Sequence, residues 1–362
     1  MISNQTIQTS IDELKSITRV DLSVYDGGCN LLATTMDQRE IDRNILRSFI
    51  QSPADSQVIG QSHLLKVWDE GELLFVLLAK GNEDDAYMIG KIAVSQIRNL
   101  SIAYKERYDK NNFLQNLLLD NLLLMDIHNK AKKLHIEIAQ PRAIFLVETG
   151  PEHDEIVTEI MRGMFSAQAG DYITSVDEST VVLMKALEPS DGQDELKAIA
   201  EMIVSMMNAE AMVNVRVSFG NIVGELKDIS KSYKEAKMAM DVGKIFYVER
   251  TVCSYSELGI GRLIYQLPVN LCKIFIEEIF GDNVPDDLDE ETLTTINKFF
   301  ENNLNVSETS RQLFVHRNTL VYRIEKLQKS TGLDLRNFDD ALTFKIALMV
   351  VNYMKYLDTV GY

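Results

Sequence analysis

The chain has 362 residues, 46% hydrophobic and 25% charged, the balance of a folded soluble protein of two or three domains. A formal net charge of −17 excludes nonspecific nucleic-acid binding by the surface as a whole. Three cysteines, Cys29, Cys253 and Cys272, are far apart and odd in number, which excludes a disulfide framework, and neither they nor the five scattered histidines have metal-ligand spacing.

The first residues, MISNQTIQTS, carry no basic-then-apolar leader, and no apolar run approaches the ~20 residues of a membrane span. A cytoplasmic protein with no membrane partner is expected. Residues 1–83 read as a small α/β unit. VDLSVYDGG is a strand entering a turn, LLATT returns, and MDQREIDRNILRSFIQ is an amphipathic helix. HLLKVWDEGELLFVLLAKG is a hairpin around Asp69-Glu70-Gly71. This architecture resembles the PAS/GAF type of sensory domain, which implies a small ligand between sheet and helices. Tyr25, His63 and Trp68 are pocket candidates, and plain packing or surface placement explains each of them as well.

Residues 84–130 follow as an expected long signalling and dimerising helix. Ala86, Ile89, Ala93, Ile97, Leu100, Tyr104 and Tyr108 keep helical spacing without a strict heptad. The alternative is two helices joined near Lys110-Asn111-Asn112.

From 131 to 260 the pattern is βαββαβαβ, an antiparallel-containing sheet expected to carry helices on one side. It resembles the nucleotidyl-cyclase (GGDEF-like) fold, most specifically over VRVSFGNIVGELKDISKSYKEAKMAM. Cyclase chemistry needs carboxylates to hold metal ions and a Gly-rich turn that admits phosphate or base. The corresponding hairpin, SVDESTVVLM, offers Asp177 and Glu178 without a glycine pair, and the first strand offers only Glu148. The expectation is a degenerate scaffold with no catalytic residue, no metal and no cofactor. A nucleotide-binding or cyclase-like enzyme is the rival reading.

Residues 261–362 read as a helical domain. GIGRLIYQLPVNLCKIFIEEIFG is helical with a break at Pro268, and DNVPDDLDEE is an acidic linker. ETLTTINKFFENN opens the last domain, and RNFDDALTFKIALMVVNYMKYL closes it as an apolar helix. Between them, 305–332 reads as two helices and a turn. Asn305 caps the first and Glu308 completes a capping-box spacing, with Val306, Leu313 and Phe314 facing inward. His316 stands at the second cap. Leu320, Ile324 and Leu327 form a buried stripe, and Gly332 stops the helix. Arg317, Asn318, Thr319, Tyr322, Arg323 and Lys326 lie off the stripe. This is a helix-turn-helix layout, in which Arg suits guanine, Asn suits adenine and Thr suits a thymine methyl. An ordinary helical hairpin, as in a protein-interaction module, has the same spacing. Five Lys or Arg (311, 317, 323, 326 and 329) against Glu308 and Glu325 give residues 307–332 a charge of +3, leaving −20 elsewhere. A basic island on an acidic chain fits local DNA contact.

Y-S-E-L-G-I at 255–260, T-L-T-T-I-N-K-F-F-E-N-N at 292–303, V-H-R-N-T-L-V-Y-R-I-E-K-L at 315–327 and T-G-L-D-L at 331–335 resemble the PucR/CdaR-type bacterial transcriptional regulators. The resemblance covers about two-thirds of the chain, and family members place a GGDEF-like domain ahead of the helix-turn-helix. The fold class it implies is multidomain α+β: a PAS/GAF-like sensor, a connecting helix, a GGDEF-like domain and an all-α DNA-binding domain. It implies an activator of catabolic genes that binds operator DNA as a homodimer or higher homo-oligomer and answers a small-molecule effector such as a sugar diacid. The DNA-binding residues it implies are Arg311, His316, Arg317, Asn318, Thr319, Tyr322, Arg323 and Lys326. No ligand-binding residue is assigned.

Overall fold

The computed structural model describes the chain apart from residues 1, 37–40, 70, 151–153, 166–169, 178, 282–289, 361 and 362. Glu70, Glu178 and most of the acidic linker therefore lie outside the described residues. The chain divides into two compact units, residues 1–114 and 115–362.

In the first unit the elements run α1 (Asn4–Thr18), β1 (Asp21–Asp26), β2 (Leu31–Thr34), α2 (Arg43–Gln51), β3 (Ser56–Ile59), β4 (Ser62–Asp69), β5 (Glu72–Lys80) and α3 (Glu83–Leu118). The five strands form one antiparallel sheet in the order β2-β1-β5-β4-β3. Alternate residues of β1, β4 and β5 are buried on opposite faces. Leu22, Val24, Leu65, Val67, Leu77 and Ala79 pack against Ile7 and Ile11 of α1 and Ala86, Ala93 and Ile97 of α3. Tyr25, Leu64, Val76 and Leu78 pack against Leu46 and Phe49 of α2. The sheet splits the three pocket candidates. Tyr25 is buried on the α2 face, and His63 stacks on Tyr87 of α3 at 5.5 Å. Trp68 is partly exposed and donates its indole N–H to Asp55 Oδ1 at 3.0 Å. His63 thus lies on the face of the sheet opposite Tyr25.

α3 is one continuous helix of 36 residues, but it ends at Leu118 rather than near 130. Asp120 turns the backbone into the left-handed region at φ 63, and α4 (Leu124–Lys133) starts afresh. The turn is pinned because Asp120 Oδ2 accepts from Lys234 Nζ at 2.7 Å, and the lysine pulls the exposed carboxyl below its ordinary pKa.

The second unit continues with β6 (Arg142–Glu148), α5 (Asp154–Met164), β7 (Tyr172–Ser175), β8 (Thr180–Ala186), α6 (Gln193–Met206), β9 (Arg216–Phe219), α7 (Ile229–Phe246) and β10 (Val252–Ser254). This is the expected βαββαβαβ order, with the sheet arranged β10-β9-β6-β8-β7. Only β9 and β10 run parallel. Helices cover both faces, not one. Ala143, Phe145, Val147, Val217 and Phe219 pack on α5 and α6. Ser218, pointing the other way, donates to the Ala236 carbonyl of α7 at 2.8 Å. The reason is visible in β6, which is buried along nearly its whole length and needs cover above and below.

The specific S-F-G and S-Y-x-E-A run is explained by this contact. Ser232 Oγ accepts from the Ile144 N–H at 3.0 Å and donates to the Asn221 carbonyl at 2.8 Å. Glu235 accepts from the Asn221 N–H at 2.8 Å. A Cβ at Gly220 would lie 2.1 Å from the Ser232 carbonyl oxygen, so no other residue fits there. The motif is the seam between β9 and α7.

The chain ends in α8 (Ile260–Tyr265), α9 (Val269–Phe280), α10 (Glu290–Glu301), α11 (Val306–Gln312), α12 (Arg317–Thr331) and α13 (Phe338–Val360). Pro268 caps α9, where its missing N–H costs nothing. α13 works on two faces. Phe344, Ala347 and Val351 join Ile296, Phe299, Leu320, Ile324 and Leu327 in one core. Val350 and Tyr353 join Ile245 of α7, Ile264 of α8 and Cys272 of α9 in another.

Candidate nucleic-acid interface

α11 starts at Asn305, whose Oδ1 accepts from the N–H groups of Ser307 and Glu308, both at 3.1 Å. Only half of a capping box forms. The Asn305 N–H donates to the Asn302 carbonyl, while Glu308 turns forward to a two-bond pair with Arg311 and to Gln312. Arg311 holds the Glu308 carboxyl below its ordinary pKa. α11 spans seven residues, and Val306 and Leu313 pack against the core as expected, joined by Val315, which was not expected there. Phe314 does not face inward. It takes φ 54, and its side chain points to solvent.

His316 caps α12, with Nδ1 accepting from the Asn318 N–H at 3.2 Å. Leu320, Ile324 and Leu327 are buried, as their i, i+4, i+7 spacing requires. Gly332 ends the helix at φ 78, with its N–H on the Gln328 carbonyl at 2.8 Å. Core and caps thus fix which side of α12 faces outward. Arg317, Asn318 and Thr319 are exposed in its first turn, and Tyr322 and Lys326 continue the exposed side. Tyr322 is 66% exposed, so it does not belong to the stripe. Among the described residues none of these five side chains has a hydrogen-bond or ion-pair partner.

Arg323 differs. Its side chain is only 19% exposed, and it donates to Thr295 Oγ1 at 2.9 Å and pairs with Glu291, both on α10. Arg311, although exposed, is engaged with Glu308. The eight candidate residues therefore divide into a cap (His316), two arginines paired within the chain, and five open side chains along α12, three of them in its first turn at the positive end.

Of the three carboxylates considered for a cyclase site, Glu178 lies outside the described residues and the other two are engaged. Glu148 pairs with Lys244 of α7, and Asp177 accepts from the Ser179 N–H and hydroxyl, closing its own turn. Among the described residues, no three His, Cys, Asp or Glu side chains converge as a metal site would need. No helix of the described residues is long and apolar enough to cross a membrane.

Residues 292–350 match the PucR C-terminal helix-turn-helix domain, and residues 122–242 match the GGDEF-like domain. The chain thus carries one segment similar to each of these two domains, in that order along the sequence: GGDEF-like first, helix-turn-helix second. It is 26% identical over 310 residues to the carbohydrate diacid regulator of Escherichia coli (strain K12), a match covering 78% of this chain and 77% of that protein. It is 25% identical over 167 residues to the purine catabolism regulatory protein of Bacillus subtilis (strain 168), covering 45% of this chain and 32% of the relative. The DNA-binding transcriptional activator AdeR of Bacillus subtilis (strain 168) is 20% identical over 301 residues, covering 77% and 70%. The matched residues 292–350 contain α11 and α12 and all eight candidates.

Proposed function

We propose that the protein is a ligand-responsive, DNA-binding transcriptional regulator, an activator of catabolic genes, that reads its operator with the first turn of α12. The observation that carries this reading is the set Arg317, Asn318 and Thr319, exposed and unengaged at the positive end of a helix whose opposite side is locked into the core. Those three residue types at that place suit guanine, adenine and a thymine methyl. Tyr322 and Lys326 extend the contact, Lys326 toward phosphate. Arg311 and His316 lie beside the same turn and take backbone oxygens.

The reading continues upstream. Residues 1–83 take a small-molecule effector, a sugar diacid or a related catabolite. The helix that follows and the GGDEF-like domain pass the change on to two DNA-binding domains in a cytoplasmic homodimer or larger homo-oligomer. No catalytic step is assigned to the GGDEF-like domain, since Glu148 and Asp177 already have partners. Incubation with GTP or ATP and a divalent metal should yield no cyclic product.

Selection of duplexes from a random library by the full chain tests the main reading. It should enrich a sequence with two half-sites about one helical turn, or a multiple of it, apart. Affinity for it should fall linearly with the logarithm of salt concentration. Failure to enrich any sequence at moderate salt would instead favour a helical module that binds protein.

A further inference from the structure

α11 ends in a two-bond cap. The Val315 N–H donates to the Ser310 carbonyl at 3.0 Å, and the Phe314 N–H to the Arg311 carbonyl at 3.3 Å. This pairing drives the residue after the cap into the left-handed region, where glycine or asparagine belongs. Phe314 occupies that position at φ 54. Its side chain is 96% exposed and takes no part in the domain core that holds its neighbours Leu313 and Val315. A bulky residue at positive φ is strained. The cap bonds hold the backbone there, but among the described residues no contact of the ring itself is recorded, which points to a contact outside the chain.

The surroundings say what kind. Arg311, Gln312, His316 and Arg317, its near neighbours in sequence, are all exposed. A protein partner would favour further apolar residues beside it, as the centre of an interface is depleted in charge. A lone ring among cations suits a polyanion with small apolar spots. A DNA duplex is such a surface, with phosphates on the rim and thymine 5-methyl groups in the major groove. Phe314 stands three residues before Arg317, in the turn that feeds α12, so it reaches the edge of the groove that α12 enters.

We propose that Phe314 is an apolar DNA contact, packing its ring on a thymine methyl and the adjoining deoxyribose at the groove edge and adding a preference for thymine at one operator position. This rests on the reading of α12 as the recognition helix.

The test uses the full chain and the duplex that the wild-type protein selects from a random library. Wild type, Phe314→Gly, Phe314→Trp and Arg317→Ala are titrated against that duplex and against versions with uracil replacing each thymine in turn. Glycine relieves the backbone strain, so Phe314→Gly should unfold at a temperature no lower than wild type. It should bind roughly three- to tenfold more weakly with an unchanged salt slope, because no phosphate contact is lost. One uracil replacement should weaken wild type and leave Phe314→Gly unaffected, and Phe314→Trp should keep most of the affinity. Equal affinity of wild type and Phe314→Gly, or a loss independent of every thymine, overturns the proposal. If Arg317→Ala still binds more weakly in that case, only the role of the ring fails. If Arg317→Ala is also unchanged, the reading of α12 fails with it.

Discussion

Arg323 Nη1 donates to Thr295 Oγ1 at 2.9 Å, and its second nitrogen pairs with Glu291, so an arginine of α12 is held by α10. Thr295 is itself buried and anchored to the Glu291 carbonyl at 2.8 Å. We propose that this arginine sets the angle of α12 rather than reading a base. Arg323→Ala should lower stability by about 1.5–3 kcal/mol, the range for hydrogen bonds to a charged group. Its selected sequence should match that of wild type. Denaturant unfolding and base-preference profiling together check this, and a changed base preference would return Arg323 to the DNA.

Gly220 backs on Ser232 where β9 meets α7. A Cβ there would overlap the Ser232 carbonyl, and Ser232 also holds Ile144 and Asn221. Gly220→Ala should therefore cost about 3 kcal/mol or more, at the upper end of overpacking. Thermal unfolding measures it, and an unchanged midpoint would mean that β9 and α7 do not approach this closely.

Asn305 satisfies two N–H groups at the start of α11. Asn305→Ala should lower stability by about 1 kcal/mol, whereas Asn305→Ser or Asn305→Asp should retain most of it. Because Glu308 makes no reciprocal bond, Glu308→Gln should matter less than Asn305→Ala, and the unfolding midpoints should rank in that order.

Tyr265 of α8 donates its hydroxyl to Asp241 Oδ2 of α7 at 2.7 Å and packs near Tyr353 of α13. Burial, then the bond to Asp241, raise the phenol above its ordinary value of 10.0. The folded state holds this proton more tightly than the unfolded chain does. The stabilisation is therefore complete below about pH 10 and is lost as pH rises beyond it. Tyr265→Phe should unfold at a lower temperature than wild type at neutral pH, and the gap should narrow at alkaline pH. A gap that widens with pH would contradict the assignment.

What the chain disclosed in advance follows its physics. Around α12 the caps, the buried stripe and the terminal glycine are local features, and local spacing is enough to read them. The αβ order of the GGDEF-like domain was legible from runs and turns, but the second covered face was not, because burial on both sides looks the same in sequence as one long apolar run. α1 went unread although Ser3 caps it and Ile7 and Ile11 stand four apart, since its polar, threonine-rich start weakens the helical signal. β3 is a four-residue edge strand with Gln57 and Val58 exposed, too short and too polar to declare itself. The outward turn of Phe314 and the intrachain pairing of Arg323 are not legible in the sequence, for different reasons. The handedness forced by a helix cap turned the first outward, and a partner 32 residues upstream drew the second inward. Neither constraint lies in helical spacing.

The central claim is that the first turn of α12 reads bases, and the base-preference profile of Arg317→Ala at fixed salt tests it most directly. Affinity for the wild-type sequence should fall by about 1–3 kcal/mol, and preference should relax at one position of each half-site. An unchanged affinity and an unchanged footprint would contradict the account.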